Sequence, residues 1–162
     1  TMNELKPIDH SAIATSQAMV ILLLVAAFIF NTPLLAGLGA LFMLAGAALG
    51  RPGFAWLYAG LLRPLGLVKP EILQDNPEPH RFAQGFGGTV VLGGFLALSA
   101  GLSGLGWALT WLVVALAALN LFGGFCVGCA MYYWLNRLNV PGFGKAPPAG
   151  RLPGLRPRRR QS

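Results

Sequence analysis

Four long apolar stretches, at 11–30, 33–50, 82–104 and 107–134, contain no Asp, Glu, Lys or Arg. Each approaches or exceeds the roughly 18 to 20 residues that cross about 30 Å of hydrocarbon at 1.5 Å per residue. None alternates apolar and polar positions as a barrel strand would, and a backbone in lipid must satisfy its own hydrogen bonds. The pattern predicts an all-α membrane protein with four transmembrane helices. The links Asn31–Thr32 and Leu105–Gly106 are so short that the helices must pair as two antiparallel hairpins. Residues 53–62 are too short to span; flanked by Arg51 and Arg63, with Trp56 and Tyr58 suited to headgroup level, they predict a short interfacial helix between the hairpins. Pro64, Pro70, Pro77 and Pro79 keep the rest of that connector irregular. The membrane domain is thus expected over 1–138, with 139–162 as a flexible basic tail, because NVPGFGKAPPAGRLPGLRPRRRQS has too little apolar content to build a core.

Composition agrees with this pattern. Of the 162 residues, 55% are hydrophobic and only 10% charged, far below the quarter or so usual in soluble domains. The first stretch is long for a signal-peptide core and lacks a small-residue cleavage site before Pro33, so it is read as a retained helix. The net charge of +7 falls on Lys6, on the connector (Arg51, Arg63, Lys69, Arg81) and after Arg137. The positive-inside rule then puts both termini and the connector on the cytoplasmic side. Arg156, Arg158, Arg159 and Arg160 are candidate contacts for anionic lipid headgroups, each worth about 1 kcal/mol near the surface. Nothing aromatic accompanies them, so no nucleic acid is expected as a partner. Gly46 and Gly50, and Gly124 and Gly128, lie four apart and are expected to let helices approach closely.

The chemistry centres on the chain's two cysteines. Cys126 and Cys129 lie three apart in LNLFGGFCVGCAMYYWLNR, a separation whose Cα distance a disulfide tolerates. Gly123 and Gly124 just before them could loosen or break the helix, leaving Cys126 near the N-terminus of a new half-helix, where the dipole lowers a thiol pKa. In that arrangement Cys126 would be the attacking thiolate and Cys129 the resolving thiol. Three readings stay open: thiol redox or sulfur chemistry, small soft residues filling helix contacts, and metal binding. The last is weakest, since zinc wants four ligands and His10 and His80 are far away in sequence; Cu(I) would have only Met131 nearby. No metal and no cofactor is therefore assigned. Asn120 on the same helix, and His80, Arg81 and Gln84 at the start of the third, are candidate supporting residues. Asn120 is equally suited to a hydrogen bond between helices, and Arg81 to snorkelling at the membrane boundary. No charged group lies inside the spans, which argues against ion-driven transport. No phosphate loop, serine elbow or zinc-protease signature occurs.

RPLGLVKP (Arg63–Pro70), PHRFAQGFGG (Pro79–Gly88) and NLFGGFCVGCAMYY (Asn120–Tyr133) together resemble the bacterial membrane family called domain of unknown function 4395, over about residues 9–135. At the N-terminus IDHSAIATSQ keeps Asp9 and Gln17 of the family pattern but lacks the arginines usual between them. The resemblance implies a compact four-helix protein of the bacterial inner membrane whose FCxGC pattern falls on Cys126 and Cys129. It also implies a thioredoxin-like or sulfurtransferase partner, since relatives tend to accompany such proteins. Thiol–disulfide or sulfur transfer is the function expected; the alternatives are a non-enzymatic accessory subunit of a larger membrane complex and uptake of a small sulfur compound.

Overall fold

The computed structural model describes residues 5–157. Six helices and one small sheet follow in the order β1 (Lys6–Asp9), α1 (His10–Ile29), α2 (Pro33–Leu49), α3 (Ala55–Leu57), β2 (Ile72–Asp75), α4 (Pro77–Ser99), α5 (Ser103–Gly123) and α6 (Val127–Arg137). A single π-helical turn, Tyr58–Leu62, continues α3. Three helices are long and apolar enough to cross a membrane: α1, α4 and α5. At 17 residues α2 is apolar but shorter.

Each boundary has a local cause. Asp9 caps α1, its carboxylate accepting from the Ser11 N–H at 3.0 Å. Pro33 and Pro77 occupy the first positions of α2 and α4, where a missing N–H costs nothing. At the end of α2 the Arg81 guanidinium donates to the carbonyls of Ala47 at 3.1 Å and Ala48 at 3.4 Å. Those carbonyls have no partner within their own helix, and a cation there also suits the helix dipole.

α2 packs along α4, α4 against α5, α5 against α1 and α1 against α2, which closes a ring. Leu24, Ala36, Ala40, Val91 and Val113 fill its interior. Large apolar side chains also face outward, among them Leu22, Leu41, Leu49, Leu96 and Phe122.

Three expectations need correction. The stretch 107–134 is not one helix, because the chain breaks between α5 and α6 at Gly124–Cys126, and Leu105–Gly106 is not the turn before it, because α5 already begins at Ser103. The connector is not irregular throughout: β1 and β2 pair antiparallel, with Lys6 opposite Asp75 and Asp9 opposite Ile72. The sequence shows no alternation there, and the strands form because the pairing satisfies backbone groups beside two helix starts. Finally, Gly50 and Gly124 are left-handed caps, at φ 72° and 66°, and not packing residues.

Gly46 and Gly128 do allow close approach, Gly46 of α2 to Gln84 on α4 and Gly128 of α6 to Ala83 on α4. A Cβ on Gly128 would lie 2.5 Å from Ala83 Cβ and 2.7 Å from its Cα. Gly128→Val should therefore destabilise the protein by about 1–3 kcal/mol, whereas Gly104→Ala, which meets nothing within 4 Å, should be nearly silent. Thermal unfolding of both variants in detergent checks this; equal melting temperatures would contradict the packing.

Candidate functional site: a cysteine pair on a broken helix

Gly124 ends α5 in a left-handed conformation, and two residues later Cys126 caps α6 with extended backbone (φ −95°, ψ 104°). Cys126 Sγ accepts from the Cys129 N–H at 3.1 Å. One side-chain sulfur thus meets the N-terminal amides of an 11-residue helix, where a thiolate is stabilised. The two sulfurs are at disulfide distance, with Cα atoms 5.2 Å apart. Both residues are buried, Cys126 at 7% and Cys129 at 4% exposure.

A polar cluster covers the pair on one side. His80 Nδ1 lies 3.5 Å from Cys129 Sγ, and His80 Nε2 lies 2.9 Å from Asp75 Oδ2. A carboxylate only accepts, so Nε2 carries a proton, and in the neutral ring the Nδ1 lone pair faces the sulfur. His10 Nε2 is 3.3 Å from the same carboxylate oxygen, and the two imidazoles meet edge to face at 5.5 Å between centroids. Burial would push the Asp75 carboxyl up. The contacts from His10 and His80 and the Asn76 N–H, at 2.9 Å from Oδ1, outweigh it and hold that carboxyl well below the usual range.

The sheet explains how residues 65 positions apart come together. β1 runs directly into α1 and β2 nearly into α4, so their pairing sets two helix starts side by side. His10 opens α1, its N–H donating to Glu71 O at 2.8 Å, and His80 is the fourth residue of α4.

The segment after α6 returns over the cysteines; residues through 157 do not run free as a tail. The Cys126 N–H donates to Gly154 O and the Arg156 N–H to Gly124 O, both at 2.8 Å, and Phe125 bridges Leu155. The buried Asn76 amide holds the same segment, donating to Ala146 O and Tyr133 Oη, both at 3.2 Å. Arg156, expected at lipid headgroups, turns inward: Nε donates to His10 Nδ1 at 3.5 Å and Nη2 to His10 O at 3.4 Å. Arg158, Arg159 and Arg160 lie outside the described residues.

The other expected supporting residues fall in different places. Arg81 caps α2 and does not approach the sulfurs. Gln84 reaches toward α2, and its buried amide nitrogen has no hydrogen-bond partner among the described residues. Asn120 borders two hollows, a crevice of about 20 Å3 under the returning segment and a cavity of about 430 Å3 among the helices. Cys126 and His80 line both. His10 and Asp75 were missed as site residues. The available signal was a pair of Asp–His proximities, Asp9–His10 and Asp75 five residues before His80, which only the strand pairing joins.

Two ligand sets share His80. His80, Cys126 and Cys129 form one, and His10, Asp75 and His80 the other, with ligand atoms within 4.8 Å of one another in each. The first offers two soft sulfurs and an imidazole when the pair is reduced.

The family profile for domain of unknown function 4395 matches residues 8–137. This chain belongs to that family. No curated protein and no solved structure matches it.

Gly154 lies at φ 87°, and a Cβ there would meet Cys126 O at 2.7 Å. Gly154→Val should lift the returning segment and raise maleimide labelling of the reduced thiols about tenfold, read by gel shift; an unchanged rate would mean that the segment does not limit access.

Asp75 yields a pH prediction. Because its folded-state pKa is depressed, the stability it contributes is complete above the usual carboxylate range, near 4, and is lost as pH falls through the folded value. The melting-temperature advantage of wild type over Asp75→Asn should therefore be full at pH 7 and shrink below about pH 4; an advantage that grows on acidification would refute the assignment.

Proposed function

We propose that this family member is a multi-pass protein of the bacterial inner membrane that exchanges electrons or sulfur between Cys126–Cys129 and a thioredoxin-like or sulfurtransferase protein. The observation that carries this reading is the line Asp75–His80–Cys129, which ends at a cysteine pair capping α6. A carboxylate orients an imidazole whose free nitrogen faces a thiol, the arrangement that activates nucleophiles generally. Mere packing of small apolar residues does not call for it.

In the exchange, the Cys126 thiolate attacks a disulfide of the partner, forming a mixed disulfide and releasing one partner thiolate. Cys129 then gives its proton to His80 Nδ1 and attacks Cys126 Sγ. This closes the intramolecular disulfide and frees the partner's second sulfur. The same steps in reverse oxidise a partner dithiol. A protein partner reaches the sulfurs once the segment around Gly154 lifts, and the crevice beneath it marks the approach.

The surrounding topology is part of the proposal. α2 joins α1, α4 and α5 as a fourth span, and both termini and the connector face the cytoplasm, as the distribution of Arg and Lys favours. The outward leucines and phenylalanines then meet lipid. One observation favours a second reading, an accessory subunit of a larger membrane complex: at 7% and 4% exposure, the cysteines also suit a purely structural role.

Equilibrating the protein with dithiothreitol buffers and trapping thiols by alkylation separates the two readings. The redox reading expects one two-electron transition, lost in Cys126→Ser and Cys129→Ser, and exchange slowed about 100-fold in His80→Ala. Thiols that never change state, even in Gly154→Val, would sink it and leave the accessory role.

A further inference from the structure

The cysteine pair has a second face. Cys126 lies between the polar crevice and the cavity of about 430 Å3, which is within the size range of small-molecule sites. At one end the cavity meets Arg51 and Pro52 of the connector; at the other it reaches Val20, Val90 and Val113 in the core of the ring. Its polar lining residues include His80, Gln17, Gln84 and Asn120.

We infer that this cavity binds a membrane quinone, which accepts the electrons of the reduced Cys126–Cys129 pair. Three features select that class of molecule. The apolar walls suit a hydrophobic body entering among the helices. Cys126, one half of a two-electron couple, lines the cavity, and His80 beside the pair lines it too and offers a group for proton transfer to a quinone carbonyl. A lipid tail would fill the apolar end but would not take electrons from the adjacent sulfur.

The step balances. The dithiol gives up two electrons and two protons as the Cys126–Cys129 bond forms. The quinone takes both pairs and leaves as the quinol. His80 lines cavity and crevice alike, which gives the Cys129 proton a path from the sulfur toward the quinone.

The inference rests on the redox reading above, and one experiment tells their failures apart. The full chain in detergent is reduced on an immobilised phosphine, freed of reductant and mixed with decylubiquinone, while quinol formation and thiol loss are followed together. Saturable oxidation is expected, with two thiols lost per quinol formed and no sulfur adduct by mass spectrometry. Ala117→Phe, which fills the cavity, should cut the ratio of quinone-driven to dithiothreitol exchange to roughly one-tenth. A pair that cycles with dithiothreitol but forms no quinol, or a ratio indifferent to Ala117→Phe, overturns the quinone site and leaves thiol exchange standing. A pair inert to dithiothreitol defeats both. If Ala117→Phe does not fold, a photoreactive quinone on the wild type decides: label on peptides covering 84–90 or 112–120 is expected, and label confined elsewhere refutes the site.

Discussion

The site depends on the interruption of the last apolar stretch at Gly124. A continuous helix through 107–134 would have tied every amide to the carbonyl four residues back, leaving Cys126 as one more side chain on a cylinder. The left-handed glycine ends that ladder and frees backbone groups where water is scarce. They are satisfied by a segment thirty residues further on, the Cys126 N–H by Gly154 O and the Gly124 carbonyl by the Arg156 N–H. One break therefore explains three features: a cysteine at a helix N-terminus, a cover over it, and an arginine carried to His10.

The second constraint is the Asp75 carboxylate. Few buried carboxylates can stay ionised without partners, and this one has two imidazoles and a backbone amide. Its position follows from strand pairing, which holds the starts of α1 and α4 together whatever the helices do deeper in the bundle. The chemistry thus sits on backbone hydrogen bonds and helix starts, which are stiffer than the loops that would otherwise carry it. Tyr58 reinforces the arrangement, its hydroxyl donating to Asp9 Oδ2 at 2.7 Å and pinning the short helix beside the α1 cap.

Much of this was legible in the chain. Hydrophobic run length located α1 and α2 to within a residue at each end, because backbone in an apolar setting has little choice but helix, whereas α4 starts five residues before its run and α5 ends well inside the last one. The Cys126–Cys129 spacing and the preceding glycines pointed to a break with a thiol beyond it. What stayed hidden was long-range. No periodicity announces a four-residue strand, so nothing in the sequence joined His10 to Asp75. The returning segment was hidden for a different reason. Its prolines and glycines give it no element of its own, and it is ordered through the backbone groups that the broken helix leaves open. Arg81 shows the limit from the other side: its position beside His80 suggested a shared role, yet residues adjacent on a helix point about 100° apart, and its charge is spent on the α2 carbonyls.

Burial and reactivity need not conflict here. A sulfur pair fully open to water would exchange with any thiol in solution, while one sealed in hydrocarbon would exchange with none. Cys126 and Cys129 occupy neither extreme: a polar crevice on one side is closed by a peptide segment held by a few hydrogen bonds, and an apolar cavity on the other lies among the helices. His80 borders both hollows and lies 3.5 Å from Cys129 Sγ, on the boundary that Cys126 shares. In the proposed scheme a water-borne thiol meets the pair as its disulfide and a lipid-borne acceptor meets it as its dithiol, each from its own side. The broken helix sets that boundary, because it places Cys126 at the start of α6, where it lines both hollows.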